Sequence, residues 1–478
     1  MIEYLLPTRI VTYQGINNVD SIFKPKGLYG LHDGDASLWD KKYAKMVGQG
    51  SSITLDFGKE MNGGVRILSG WIGNGDCKVR IRFGESLSEV NSEIGEKNSC
   101  NVHCPRDFEA ILCASGDSTF GQTGFRFVRI DVLGTNWILL RNIYCENHIL
   151  KRKIKYEYRG KDPLIRDIFL TAKRTVDLCA GSGRIWDGVK RDRLVWVGDL
   201  APEIMALSTM YGPTPEVERS LNDSRLSFPL PYYINNIATY SMWWLINLGD
   251  YHREFGRDAF IKKQMPYANR LIKQLSTLVD ENGILVSDDD IRFFVDWPTE
   301  DTPDRIYGVY AIFLMSMRSA IEDLPLSEEA IETAKSIRER LLKFKLEPKK
   351  MKQIIALKYF ATGELTDEDY KKLIEGGAKG FSTFMSYYIL SAIASRDEAL
   401  SIRLMKEYYG AMLDKGATSF FEDFDMDWVE GSGRIDEIDP NKKDLHGDYG
   451  KYCYLGFRHS LCHGWSAGVI RFIQQHCR

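Results

Sequence analysis

The chain has almost no net charge. Its 478 residues contain 63 Lys and Arg against 66 Asp and Glu, which gives a formal net charge of −3 at pH 7. Proteins that bind nucleic acid or anionic lipid through charge carry a basic patch or stripe, and the short basic pairs of this sequence do not extend into one. The composition therefore argues against nucleic acid and against a membrane surface as partners.

Cysteine is sparse and follows no pattern. The nine cysteines, an odd number, lie between Cys77 and Cys477 without a repeated spacing, so we expect free thiols. Cys100, His103 and Cys104 lie close enough in sequence to suggest a metal site, but no second ligand pair follows at zinc-finger spacing. We therefore expect no structural metal and no cofactor.

Long hydrophobic runs are missing as well. The mean hydropathy of −0.28 argues against an integral membrane protein. The first residues have neither the basic nor the long apolar segment of a signal peptide, so we expect a cytoplasmic protein. A chain whose leader had been removed would look the same.

Residues 51–145 alternate between apolar and polar side chains, as half-buried strands do. The alternation is clearest at 53–57, 77–83 and 125–132, and glycine-rich clusters at 62–64 and 73–76 are expected to form turns. Together these features predict an antiparallel β-sandwich, which we assign to an N-terminal domain of residues 1–155.

Helical spacing replaces this alternation near residue 156. Asp162 is placed to cap a first helix, whose apolar residues follow at intervals of three and four. Eight further stretches show helical spacing: 236–256, 258–280, 306–321, 326–344, 366–376, 381–394, 398–412 and 463–475. Their number fits an (α/α)₆ toroid, which we assign to a second domain of residues 156–478, although no sequence repeat is visible.

Residues 186–199 have an unusually mixed composition. They include three acids, three bases and two tryptophans: Asp187, Asp192 and Asp199; Lys190, Arg191 and Arg193; Trp186 and Trp196. Tryptophan rings suit stacking on a sugar, and carboxylates suit its hydroxyl groups. A salt-bridged loop packed between helices would have the same composition, so the segment by itself leaves both interpretations open.

The same segment resembles the signature of the family 78 glycoside hydrolases, the inverting α-L-rhamnosidases. The resemblance implies that Asp187, Arg191 and Asp199 hold rhamnose. In the family an intervening Glu donates the proton, and Asp192 stands in that place here, in a segment one residue shorter than the commoner family form. Glu203 is the alternative proton donor.

A second motif, at residues 416–422, resembles the Gly-Ala-Thr-Thr-x-Trp-Glu motif that supplies the general base in this family. It implies that Glu422 activates water, with Phe421 in place of the family's Trp and with Asp423 and Asp425 as alternative bases. The acid and base of an inverting enzyme must be separated, so a base from a distant segment is expected. Without the family, an acidic loop of this kind would more often be a helix start.

Four further positions are implied to hold the sugar. His463 matches the position of a family histidine at the start of the last helix, although it could instead satisfy backbone groups there. Asp296 and Trp297 lie in a segment that ends at a proline, and we favour Trp297 as a stacking ring over Trp243, which lies within a predicted helix. Trp196 completes this set.

The resemblance implies a six-hairpin glycosidase that removes terminal α-L-rhamnose, or a related sugar, by metal-independent inverting hydrolysis of an oligosaccharide or glycoside. Two alternatives remain. One is a hydrolase for another sugar, or a lyase for a uronic acid that pairs with Arg191 or Arg193. The other is a sugar-binding protein without activity. A homo-oligomer, in which a neighbouring subunit covers one rim of the barrel, is a further hypothesis.

Overall fold

Nine antiparallel strands from the first part of the chain form one sheet. The computed structural model describes residues 2–23, 43–73, 75–286, 290–348 and 350–477. Within these residues the strands are β1 Ile2–Leu5, β2 Arg9–Gln14, β3 Ile16–Asn17, β4 Ala44–Val47, β5 Ser52–Ile72, β6 Cys77–Gly84, β7 Asp107–Leu112, β8 Asp117–Val132 and β9 Trp137–His148. Their order is β3-β4-β9-β5-β8-β6-β7, while β1 pairs with β9 and β2 pairs with β5.

Strand β5 passes straight through residues 62–64, so the turn expected there is wrong. Its pairing with β8 shifts between Gly63 and Val65, and its pairing with β9 begins at Gly63. A Cβ atom at Gly63 would lie 1.8 Å from the carbonyl oxygen of Glu146. These glycines therefore permit close approach of strands where β5 changes partners. The other expected turn, 73–76, lies between β5 and β6, and its residue 74 is outside the described residues.

Helices dominate the rest of the chain. They are α1 Leu87–Asn91, α2 Pro163–Cys179, α3 Leu200–Tyr211, α4 Pro215–Ser227, α5 Ala238–Phe255, α6 Asp258–Leu275, α7 Arg305–Glu322, α8 Glu328–Leu341, α9 Lys352–Thr362, α10 Asp367–Ile374, α11 Ser386–Ala394, α12 Glu398–Asp414 and α13 Val469–His476. Asp162 caps α2 as predicted, because its carboxylate accepts hydrogen bonds from the N–H groups of Leu164 and Ile165. Helices α1, α3, α4 and α9 were not predicted.

The two parts of the chain have separate hydrophobic cores. One core lies among the strands and the other gathers residues from Leu150 to Cys477, including the fully buried Trp243 and Trp244. The boundary between residues 155 and 156 stays a prediction. In the portion of the chain that the structure describes, no helix has both the length and the apolar character that a membrane crossing requires.

Arg126 on β8 connects the sheet to the helical part of the chain. Its guanidinium donates to both carboxylate oxygens of Asp56, at 2.9 and 3.0 Å, to the carbonyl of Gly416 at 3.2 Å and to Asp436 at 3.1 Å. The side chains of Arg126 and Asp56 are almost completely buried. Because the motif at residues 416–422 begins at Gly416, this arginine also helps to fix the start of that segment.

We expect Arg126→Met to lower the free energy of unfolding by about 3 kcal/mol, because removing one member of a buried ion pair leaves its partner without compensation. Arg9, whose side chain is half exposed, still contacts Asp56 at 2.9 Å and limits the loss. Urea titration followed by tryptophan fluorescence measures the effect. The control is Lys78→Met at the exposed pair with Glu109, which should change stability by less than about 1 kcal/mol. Equal losses in the two variants would contradict this account.

Candidate active site

A pocket of about 150 Å³ opens where the segment 186–199 meets the loops before α5, α7 and α13. Its wall consists of Asp187, Arg191, Asp192, Trp196, Asp199, Ile237, Tyr240, Arg292, Phe294, Trp297, Glu422, Cys453, Tyr454, His463 and Trp465. The structure thus brings together all the predicted site residues except Asp296, although they come from segments more than 200 positions apart in the chain.

Local backbone geometry directs the 186–199 segment toward the pocket. Asp192 and Arg193 both have left-handed backbone angles, with φ of 53° and 55°, which reverses the chain within two residues. The carboxylate of Asp187 accepts the N–H of Leu194 at 3.0 Å and closes this reversal. The Asp187 carbonyl accepts the N–H of Gly464 at 2.7 Å, so the loop is also attached to the segment that leads into α13.

Glu422 is a buried carboxylate with three donors. Its Oε1 accepts from a guanidinium N–H of Arg191 and from the thiol of Cys453, and its Oε2 accepts from the N–H of Ser460 at 2.9 Å. Burial is the largest single effect and raises the pKa of Glu422, but the charge of Arg191, the electrostatic effect of His463 and the hydrogen bonds from Arg191 and Cys453 together outweigh it and lower the pKa to about 2. Glu422 is therefore ionised near neutral pH, as a general base must be.

Arg191 lies between Glu422 and Asp192. One terminal nitrogen contacts Glu422 and the other lies 3.3 Å from Oδ2 of Asp192. The Nε atom donates to the carbonyl of Arg458 at 2.9 Å, and the guanidinium lies 3.9 Å from the ring centre of Tyr454. With its donors engaged and one face covered, the guanidinium is rigid and keeps the two carboxyl groups apart.

Asp187, Asp199 and His463 form a group on another part of the wall. The Nε2 atom of His463 lies 3.8 Å from Asp187 and 3.9 Å from Asp199. Burial raises the pKa of Asp199 to about 8, although the hydroxyl of Tyr240 donates to it at 2.9 Å, and burial followed by repulsion from Asp199 raises the pKa of Asp187. Burial lowers the pKa of His463 to about 3, so the imidazole is neutral. These groups can both donate to and accept from hydroxyl groups.

Asp192, the predicted proton donor, is contacted from two sides. Its Oδ2 atom lies 3.3 Å from Arg191, and its Oδ1 atom lies 3.1 Å from Nε2 of His103, which belongs to the connection between β6 and β7. The strand-rich part of the chain therefore reaches the edge of the pocket. The role of Asp192 as the acid stays a prediction.

Asp296 does not line the pocket, unlike its neighbour Trp297. Only 1% of its surface is exposed, and its carboxylate accepts the hydroxyl of Ser382 at 2.5 Å. Burial raises its pKa to about 7. This carboxyl group lies behind the wall, and the expectation that it accepts sugar hydroxyls stays a prediction.

The alternative acids and bases also lie outside the pocket wall. Glu203 is buried on α3 beneath Gly464, where an added Cβ would lie 1.5 Å from its Oε1 atom. Asp423 accepts the N–H groups of Lys451 and Tyr452 at 3.4 and 3.3 Å, and Asp425 caps a short 3₁₀ helix at Met426–Trp428. Their geometry supports Asp192 and Glu422 over these alternatives.

The aromatic wall was only partly predicted. Trp196 and Trp297 line the pocket as expected, whereas Trp243 is fully buried against Phe384 and Tyr388. Sequence reasoning missed Ile237, Arg292, Cys453 and Tyr454 as residues of the wall, and gave no role to Tyr240, Phe294 and Trp465. The segments containing Tyr240, Phe294 and Trp465 stood out as aromatic-rich, but nothing in the sequence around Cys453 and Tyr454 indicated a site.

Cys100, His103 and Cys104 do not gather around a common point for a metal. His103 faces Asp192, while the sulfur of Cys104 lies 3.3 Å from Nη1 of Arg193. All nine cysteines are free thiols, as predicted.

Another group in the described ranges, Glu85, Glu89 and His446, is close enough to share a cation. The ammonium of Lys190 lies 2.8 Å from Glu89 and 3.4 Å from Glu85, and so already supplies positive charge there.

The fold is that of solved rhamnosidases. A rhamnosidase from Klebsiella oxytoca with rhamnose bound has a TM-score of 0.73 and 18% sequence identity, and the alignment covers 99% of this chain and 96% of that one. A GH78 family rhamnosidase of Bacillus sp. GL1 has a TM-score of 0.66 and 19% identity, covering 89% of this chain and 46% of that one. An α-L-rhamnosidase of Streptomyces avermitilis complexed with L-rhamnose has a TM-score of 0.61 and 16% identity, covering 88% and 42%.

The chain therefore spans nearly the whole Klebsiella protein but less than half of the Bacillus and Streptomyces proteins. No protein-family model and no curated protein matches the sequence. At these identities the likeness establishes the fold, and the expected family resemblance is confirmed at that level.

Glu203 provides a test of the electrostatics around the pocket. Neither carboxylate oxygen has a hydrogen-bond partner among the described residues, and burial followed by repulsion from Asp199 and Asp187 raises its pKa well above 4.5. In the unfolded chain the group ionises near its ordinary pKa, so the folded state loses relative stability as the pH rises above that value.

We expect Glu203→Gln to remove this loss. The melting temperature of the variant, measured by differential scanning calorimetry, should differ little from wild type at pH 4.5 and should exceed it by a growing margin between pH 5 and pH 8. A difference that stayed constant over this range would show that Glu203 does not carry the proposed proton linkage.

Proposed function

We propose that the protein is an exo-acting glycosidase that releases terminal α-L-rhamnose, or a closely related sugar, by inverting hydrolysis. The observation that carries this proposal is the pairing of an ionised, buried Glu422 with a second carboxyl group, Asp192, on the far side of the Arg191 guanidinium. The small pocket supports an exo mode of action, because about 150 Å³ suits one sugar ring better than an internal stretch of chain.

The proposed reaction divides the work between the two carboxyl groups. Asp192 gives its proton to the glycosidic oxygen as the bond to the anomeric carbon breaks. Glu422 takes a proton from a water molecule that attacks the opposite face of the sugar. Arg191 between them supports this geometry, because the acid and base of an inverting enzyme must leave space for the water.

The sugar would be held by the rest of the wall. Asp187, Asp199 and His463 offer donors and acceptors for hydroxyl groups, while Trp196 and Trp297 offer apolar ring faces. At the level of architecture we propose that the nine-stranded sheet forms the predicted β-sandwich and that the helices form the predicted (α/α)₆ toroid, as the likeness in fold to the rhamnosidases suggests.

The lyase alternative is weaker, because each of the two arginines that could pair with a uronic acid already has partners. Arg191 contacts Glu422 and Asp192, while Arg193 donates to the carbonyl of Gln122 at 2.7 Å and stacks on Trp186. A uronate would have to displace these contacts. The turnover measurements below distinguish an enzyme from a sugar-binding protein without activity.

The stereochemistry of the product tests the proposal directly. With para-nitrophenyl α-L-rhamnoside, time-resolved proton NMR should show β-rhamnose before the anomers equilibrate, because the water attacks from the face opposite the leaving group. Initial release of α-rhamnose would contradict inversion. If wild type released no sugar from this substrate or from a panel of other terminal glycosides, the enzymatic proposal would fail.

Leaving-group dependence separates the roles of the two carboxyl groups. Asp192→Asn should lower kcat about 10²- to 10⁴-fold on an alkyl rhamnoside but much less on a dinitrophenyl rhamnoside, whose leaving group needs no proton. Glu422→Gln should impair both substrates alike, because each still needs activated water. Steady-state kinetics on the two substrates measures the contrast.

Asp199→Asn serves as the comparison in the same pocket. It should raise KM for both substrates by similar factors, as expected for a group that holds the sugar. If it instead showed the strong leaving-group dependence expected of Asp192→Asn, the proton donor would have been assigned to the wrong carboxyl group.

A further inference from the structure

The candidate base, Glu422, is linked by hydrogen bonds to the strand-rich part of the chain through one intervening residue, Ser460. Glu85, which directly follows β6, is 1% exposed. Its Oε1 atom accepts the hydroxyl of Ser460 at 2.8 Å, and its Oε2 atom accepts the N–H of Leu461 at 2.6 Å. Both oxygens of this carboxylate therefore hold the segment that leads into α13.

Ser460 faces Glu422 with its backbone. Its N–H donates to Oε2 of Glu422 at 2.9 Å, and its carbonyl accepts the N–H of Glu422 at 3.0 Å. If Ser460 moved, its N–H would no longer donate to the Glu422 carboxylate. The hydrogen bond that fixes the backbone of Glu422 would be lost as well. The chain of contacts runs from Glu85 through Ser460 to Glu422 without a gap.

Lys190 links Arg191, another donor to Glu422, to the buried acids next to β6. Its ammonium lies 2.8 Å from Glu89 on α1 and 3.4 Å from Glu85, and it donates to the carbonyls of Phe457 and His459 at 2.5 and 3.0 Å. Lys190 precedes Arg191, whose guanidinium contacts Glu422. The buried acids next to β6 consequently anchor both sides of the base, the arginine side and the Ser460 side.

Other polar and charged groups surround Glu85, Glu89 and Lys190. Ser86, the cap of α1, lies 2.8 Å from Nδ1 of His446, and burial lowers the pKa of that imidazole, so it is neutral. Burial raises the pKa of Glu85 to about 7, partly offset by Lys190, and the pKa of Glu60 is raised by burial followed by repulsion from Glu85. The charge of Lys190 opposes this rise in the pKa of both Glu85 and Glu60.

We propose that Glu85 is a positioning residue for Glu422, so that the strand-rich part of the chain belongs to the catalytic apparatus. This inference rests on the proposed function, in which Glu422 activates water. Glu85 does not touch the pocket; it acts by fixing the place of Ser460, and so the direction in which Glu422 points.

The test compares Glu85→Ala, Ser460→Ala and the double variant with wild type on the aryl rhamnoside. Each single variant should lower kcat about 10- to 100-fold with little change in KM, because misplacing a catalytic group costs rate rather than binding. The double variant should lose little more than the worse single variant, because both substitutions break one chain of contacts. The acid limb of kcat/KM should move to higher pH as Glu422 loses a well-placed donor.

Asp177→Asn is the matched control. Asp177 is a carboxylate of equal burial on α2, held by the hydroxyl of Tyr211 at 2.7 Å and by Lys173, and it lies outside the pocket wall. This variant should melt at lower temperature with kcat and the acid limb unchanged. If the Glu85 variants behaved in the same way, or if the double variant lost the product of the single effects, Glu85 would have only a structural role and the inference would be overturned.

A measurement without turnover separates this inference from the proposed function. The ¹³C carboxyl signal of Glu422, assigned by its disappearance in Glu422→Gln, should titrate at higher pH in Ser460→Ala and Glu85→Gln than in wild type. Glu85→Gln keeps one acceptor oxygen and most of the packing, so it remains informative if Glu85→Ala fails to fold. An unchanged titration would refute the positioning role, whether or not the protein hydrolyses rhamnosides.

Discussion

The buried contact between Arg191 and Glu422 is the interaction on which the site depends. A carboxylate removed from water is normally driven toward its neutral form, and here the cation in direct contact, together with hydrogen bonds to the carboxylate oxygens, keeps it ionised. That requirement explains why so much of the surrounding structure serves one guanidinium: the carbonyl of Arg458 and the ring of Tyr454 hold it in place, and Lys190 anchors the residue before it. Without this pair, the pocket would be a cluster of acids with no distinct base.

The same burial gives the pocket two kinds of carboxyl group. Glu422 is held ionised by contact with a cation, whereas Asp187 and Asp199 lie where desolvation favours their protonated forms. Burial also has a cost in stability at Glu203, which lies behind the wall and has no partner for its oxygens among the described residues.

The success of the sequence predictions depends on how far apart in the chain the interacting residues lie. Strand β6 and the cap of α2 depend on local alternation and on one side chain, and the sequence predicts both. The glycines at 62–64 were misjudged, because a glycine that permits close strand approach looks the same as one that turns the chain. Motifs located about half of the pocket wall, but Tyr454 lines it and His103 contacts Asp192 at its edge through long-range folding that no local pattern reports.

The contact of Glu85 with Ser460 and Leu461 joins the strand-rich part of the chain to the helical part. A site whose base is oriented from the neighbouring sheet cannot be transplanted by exchanging helical segments alone, because the recipient would lack the carboxylate that holds Ser460. On the proposed positioning role of Glu85, recombination between relatives would preserve activity only when the strand-rich part and the helical part were inherited together. In protein engineering the same contact makes the junction between them a poor place to build chimaeras.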